Sequence, residues 1–222
     1  MYKKWIALGF IGILLIGGGF VVKGMQYDTP ALKDSFTRNF IIQEEQAPEG
    51  FHVFESKIGT YKMLFPSDFQ LDNEPDAYGR QGDFFELWNG YVDLEGKDSL
   101  GLKGTYQEVE DGQVETRLEI LKTDRDKEQD FEIYEHDNLI IFFGKSVEKY
   151  DALKNKMIQG STGEAANVYY GFVADKMSNQ ILELDYSIVC PDGCSINESE
   201  EIKFMKTLME SVEFNANLRE ES

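Results

Sequence analysis

The chain has 222 residues, 41% of them apolar and 13% aromatic, with 41 acidic against 22 basic side chains and a net charge of −19. That length suits one domain with appendages, and an aromatic content carried mostly by Phe and Tyr favours pleated, half-buried strands. So acidic a surface excludes nucleic acid and anionic polymers as partners, because binding them depends on Lys and Arg displacing counterions.

Lys3 and Lys4 precede eighteen uncharged residues from Trp5 to Val22, and Lys23 follows. As a helix this run is roughly 27 Å long, close to the hydrocarbon thickness of a bilayer. Residues 1–23 are therefore read as a signal anchor, a single transmembrane helix. The competing reading is a cleaved signal peptide and a secreted product, since Gly17 and Gly19 resemble a small-x-small cleavage site. Apolar residues continue through Phe20, Val21 and Val22, however, and no cysteine follows the run to accept a lipid. Flanking charges nearly balance, with Lys3 and Lys4 set against Lys23, Lys33 and Arg38. The very short leading tail then favours a single-pass protein in the cell membrane with its C-terminal domain extracytoplasmic.

Residues 24–50 read as a polar linker that includes one short helix near "DTPALKDSF", with Asp28 or Thr29 as cap and Pro30 in its first turn. The compact domain is expected over residues 51–214, with a polar tail at 215–222. "FHVFESKIGTYKMLFP" predicts two strands around Gly59, the second ended by Pro66. In "DFFELWNGYV" Phe85, Leu87 and Tyr91 alternate, but Phe84 and Trp88 are apolar on the opposite face. Trp88 and Tyr91 are accordingly the candidate partner-contact residues. "VETRLEILK" predicts a helix through Val114, Leu118 and Leu121, and "SVEKYDALKNKM" another through Val147, Tyr150, Leu153 and Met157. "LIIFF" (139–143) and "VYYGFV" (168–173) lack alternation, as strands covered on both sides do. "QILELDYSIV" alternates, with Leu182, Leu184, Tyr186 and Ile188 on one face. In "NESEEIKFMKTLMESVEF" Asn197 or Ser199 can cap a helix whose first turn is acidic and whose stripe is Ile202, Met205, Leu208, Met209 and Val212. These segments predict a sheet with helices packed on it.

Both cysteines lie in "CPDGC". Pro191, Asp192 and Gly193 suit a tight turn, which brings Cys190 and Cys194 within the roughly 4.4 to 6.8 Å Cα separation of a disulfide. Three intervening residues fit a structural disulfide in an oxidising compartment better than free thiols or a redox pair. A metal site would need His52 and His136 to converge on the pair. Neither a metal nor a cofactor is expected. In "DRDKEQDFEIYE" Asp124, Asp126, Glu128, Asp130 and Glu135 fall at positions 1, 3, 5, 7 and 12 of a calcium loop, but Gln129 stands where glycine is needed. Glu183 and Asp185 share a strand face and read as solvated carboxylates, not as an acid–base pair.

"IGTYKMLFPSDFQL" is similar to the opening of the PsbP/Mog1-like fold, in which a glycine turn leads into a strand ending in Pro with an aromatic three residues later. "FMKTLMESVEF" resembles its closing helix and last short strand, with a Ser just before the final apolar residues. The resemblance implies an α+β domain, an α/β/α sandwich on a mostly antiparallel sheet, and a binding or accessory role without catalysis. Phe69 stands where the family commonly has tryptophan, and no functional residue is carried over. The expected function is a membrane-tethered, extracytoplasmic domain acting on a protein or envelope partner. The alternatives are an enzyme with a site assembled from dispersed residues and a calcium-responsive module.

Overall fold

A computed structural model describes residues 28–94, 99–110, 112–124, 131–151, 156–160, 163–190 and 195–215. The expected transmembrane segment and most of the polar tail lie outside these residues. Among the described residues no helix is long and apolar enough to cross a membrane.

The chain enters through residues expected to form a linker, and among those described Ala31, Phe40 and Ile41 belong to the core instead. Thr29 caps the short helix α1 (Pro30–Lys33), its hydroxyl accepting the Leu32 N–H and lying 2.8 Å from His52 Nε2. Asp34 Oδ1 takes both the backbone N–H and the hydroxyl of Thr37, which opens a 3-10 turn at Thr37–Phe40. Ala31, Phe40 and Ile41 are buried in the main core, and Ile41 bridges Phe54. A linker would have left these apolar side chains in water, which burial against β1 avoids.

Strands β1 (Phe51–Glu55) and β2 (Tyr61–Pro66) pair antiparallel around Gly59, whose φ of 74° suits glycine. With β13 (Glu213–Phe214) they form a small sheet. The large sheet has eight strands in the described residues: β3 (Gln70–Leu71), β4 (Tyr78–Gln81), β5 (Phe85–Asp93), β6 (Ser99–Glu108), β7 (Glu132–His136), β8 (Leu139–Ser146), β11 (Val168–Asp175) and β12 (Gln180–Val189). Its order is β3-β5-β6-β12-β11-β8-β7, with β4 also paired to β5, and every pairing is antiparallel.

Both faces of this sheet are covered near its centre, which explains the unbroken apolar runs of β8 and β11. On one face Tyr169 and Val173 join Leu182, Leu184, Tyr186 and Ile188 beneath helix α3 (Glu198–Glu210) and the small sheet. On the other, Tyr170, Phe172 and Ala174 meet Val114 and Leu118 of helix α2 (Gln113–Asp124). Asn197 starts α3 through its backbone carbonyl, which accepts the N–H groups of Glu200 and Glu201, while its side chain makes no capping bond. Glu198 in the first turn accepts the Ala166 N–H and pairs with Lys145, and these contacts hold its pKa below the usual carboxylate range. At the far end the Ser211 hydroxyl donates to Leu208 O and accepts the Leu64 N–H, pinning α3 to β2.

The helix expected from Val147 to Met157 is instead a hairpin of β9 (Glu148–Asp151) and β10 (Lys156–Gln159). The Asn167 amide explains the extended backbone, because its Oδ1 accepts the Glu148 N–H and its Nδ2 donates to Glu148 O. The Gly160 N–H then closes onto Val147 O at 2.7 Å. Tertiary hydrogen bonds here override a helical spacing of weak propensity.

A methyl group added to Gly104 would lie 2.3 Å from the Trp88 ring, whereas one on Gly79 would meet nothing within 4 Å. Gly104→Ala is expected to cost about 1–3 kcal/mol through overpacking and Gly79→Ala less than about 0.5 kcal/mol, as read from urea midpoints.

Candidate binding groove

Strand β5 decides which aromatic groups reach solvent, and it does so against its apparent pattern. Glu86, Trp88 and Gly90 are buried along one side, while Phe85, Leu87 and Tyr91 lie on the other. An acid and a glycine occupy the inward row and apolar residues the outward one, so alternation of hydrophobicity points the wrong way. Trp88 is therefore not a contact residue. It is fully buried, 5.4 Å from Phe54 and 6.0 Å from Phe65 by ring centroid, and its indole N–H donates to the Tyr61 hydroxyl at 2.7 Å. Tyr91 is 38% exposed, and partial burial together with Asp93, Asp72 and Asp34 raises the pKa of its hydroxyl.

At the other end of β5 three chain segments meet. The β4–β5 turn brings Phe84, 45% exposed, against Gly82, whose φ of 55° makes the reversal. The end of β6 runs alongside, the Glu108 N–H donating to Phe84 O at 2.8 Å. The β11–β12 turn closes the third side through the Val109 N–H on Asn179 O at 2.9 Å. Phe84, Glu108, Val109, Glu110 and Asn179 thus line an open groove of about 670 Å³, within the usual range for binding clefts. Val109 also packs on the α2 cluster, and Glu110 holds the start of α2 through Gln113. The groove therefore stands on backbone ladders and not on a free loop. Its walls offer a ring, an aliphatic side chain, two carboxyl groups and an amide.

Of these residues the sequence marks only Phe84, as an apolar side chain ahead of Trp88, and it does not join them, because they lie on three turns far apart in the chain. The remaining candidates lie elsewhere. Cys190 follows β12 and packs, half-buried, on the main core, whereas Cys194 lies outside the described residues. Glu183 and Asp185 are half-buried on β12, opposite Phe172 and Tyr170 of β11. Residues 125–130 of the calcium-loop pattern lie outside the described residues, and Glu135 at its end pairs with Lys176 at 2.6 Å. Among the described residues no group of three or more His, Cys, Asp or Glu side chains is placed to hold a metal.

A family model described as "Putative lipoprotein YvcA" matches residues 27–213. A curated protein with that description, from Bacillus subtilis (strain 168), is 21% identical over 194 residues, which covers 83% of this chain and 76% of that protein. No solved structure matches the chain. The family match takes in the buried residues Ala31, Phe40 and Ile41 ahead of Phe51.

Trp88→Ala is expected to cost about 3–5 kcal/mol, as for a buried ring. Phe84→Ala and Tyr91→Ala should each stay within about 0.5 kcal/mol, as at surface sites. Thermal melts of the three variants check this separation of core from surface.

Proposed function

Because this chain belongs to the YvcA family of Mog1/PsbP-like proteins, we propose that it is a membrane-tethered, extracytoplasmic domain that binds a protein or envelope partner without catalysis of its own. The finer architecture in this reading is an α/β/α sandwich, supported by α2 on one face of the antiparallel sheet and α3 on the other. The relative's description names a lipoprotein, but in this chain the cysteines are at positions 190 and 194, so the leader offers no thiol for acylation. The tether in this reading is the uncharged run from Trp5 to Val22. The observation that carries the proposal is the closeness of that run to the core. Eight residues separate Val22 from Ala31, the first buried side chain among the described residues. Fully extended, they span at most about 29 Å, so the domain sits beside the lipid surface.

The same reading places Cys190 and Cys194 in a disulfide, consistent with an oxidising compartment. External protease added to intact cells should remove the domain, and a thiol reagent should label both cysteines only after reduction. Protection of the domain until the cells are lysed would refute the topology.

The groove and Tyr91 are the proposed contact region. Phe84 and Val109 offer apolar surface while Glu108 and Glu110 carry negative charge, which suits a segment pairing a basic with an apolar side chain. A photo-crosslinking residue at position 84 should capture a partner in native membranes, with the adduct reduced at high salt. The same residue at the exposed position 213 should not. Equal capture at both positions would remove the groove from the proposal.

A further inference from the structure

Glu86 has none of its surface exposed. Its Oε1 accepts two hydrogen bonds, from the Lys57 backbone N–H and the Tyr78 hydroxyl, each at 3.0 Å, while Oε2 has no hydrogen-bond partner. Two donors on one oxygen and none on the other is the pattern of a neutral carboxyl, with Oε1 as its carbonyl and Oε2 carrying the proton. An ionised group would place charge on an oxygen with no donor, in a wall of rings. Tyr106 lies directly across the ladder on β6, Trp88 follows on the same inward row, and the Tyr61 hydroxyl of β2 is itself pushed far up by burial and by Glu86.

The cations nearby do not reverse this. The Lys57 ammonium reaches away to Asn39 O and the Phe40 ring. Arg80, opposite Glu86 on β4, is exposed. Burial raises the Glu86 pKa and outweighs the Lys57 N–H, the Tyr78 hydroxyl and the Arg80 and Lys57 charges, all of which pull it down.

We propose that Glu86 is a proton-operated latch that holds β4 of the β4–β5 hairpin and the turn at residues 56–60 against β5, neutral while both are seated and ionised when they part from it. Its two hydrogen-bond donors come from these two segments, and the hairpin carries Phe84 of the groove. Opening of the groove wall is therefore tied to external pH. The latch stands on the surroundings of Glu86 and does not require that the groove have a partner.

The direction follows from linkage. Below the ordinary carboxylate range both seated and open forms hold the proton, and opening is independent of pH. Above that range the open form loses the proton and the seated form keeps it. The opening equilibrium then rises by up to about tenfold per pH unit until Glu86 ionises in place. The contribution of Glu86 to seating is thus greatest in acid and falls as pH rises.

Hydrogen exchange of the full chain in detergent, compared with Glu86→Gln at each pH to cancel the intrinsic base dependence, tests this. In the wild type, protection of residues 56–60 and 78–88 should fall with pH by up to tenfold per unit more than in E86Q. An infrared carbonyl band of a protonated carboxyl should persist in the wild type above the ordinary carboxylate range and be missing in E86Q. Arg80→Gln, at an exposed position, should extend the wild-type rise to higher pH and change nothing in the E86Q background. Equal pH dependence in wild type and E86Q, or no Glu86-dependent carboxyl band, overturns the proposal. Should E86Q fail to fold, the Arg80→Gln shift decides, and an unshifted profile overturns it.

Discussion

The Trp88 ring covers the site where Gly104 lacks a side chain, directly across the β5–β6 ladder. Tyr170 repeats the arrangement over Gly144 between β11 and β8 on the opposite face, and Met209 of α3 rests on Gly171. Each glycine removes a Cβ where a large side chain must reach the sheet, so rings and helix approach the backbone directly. The lost side chain is replaced by a cross-strand neighbour at Gly104 and Gly144 and by the helix at Gly171. This constraint organises the rest, because Trp88 seated on Gly104 can donate to Tyr61, and Tyr61 stacks 5.5 Å from Tyr106. The small sheet is thereby fastened to the large one through an aromatic layer that carries its own hydrogen bonds.

That fastening fixes the sense of β5. With Trp88 inward, Glu86 must also face inward and Phe85, Leu87 and Tyr91 outward, since side chains alternate along a strand. A buried acid is tolerated because the turn after β1 and the hydroxyl on β4 both reach it. The exposed rings of Phe84 and Tyr91 stand at the two ends of the same strand. The surface available to a partner is thus a by-product of how the core was closed.

Much of the fold could be read where burial alone decides the pattern. The two-sided strands β8 and β11, the alternating β12, the hairpin around Gly59, α2 and the acidic first turn of α3 all follow from hydrophobic spacing and turn chemistry. The misreadings have a shared cause. Strand β6 was not visible because Gly101, Gly104 and Lys103 dilute its alternation, and the glycine that hides it is the one that seats Trp88. The stretch from Val147 to Met157 has helical spacing, yet its conformation is set by Asn167, a residue outside it. Residues 24–50 read as a polar linker because the three buried apolar side chains, Ala31, Phe40 and Ile41, are scattered among charged ones. The groove was beyond reach for the same reason, since its walls meet only when three turns converge.

The way the chain enters the domain bears on mechanics. Thr29 touches His52, the Ala31 N–H is held by Ser67 O, and the Ile42 N–H by Val53 O. A pull exerted on the chain at residue 28 has no slack to take up and is passed at once to β1 and β2. Tension from the N-terminal side would be felt first by the small sheet and only afterwards by the large one. The turn that follows β1 is also the turn whose Lys57 N–H rests on Glu86, so stretching the stalk and removing a proton would act on the same joint.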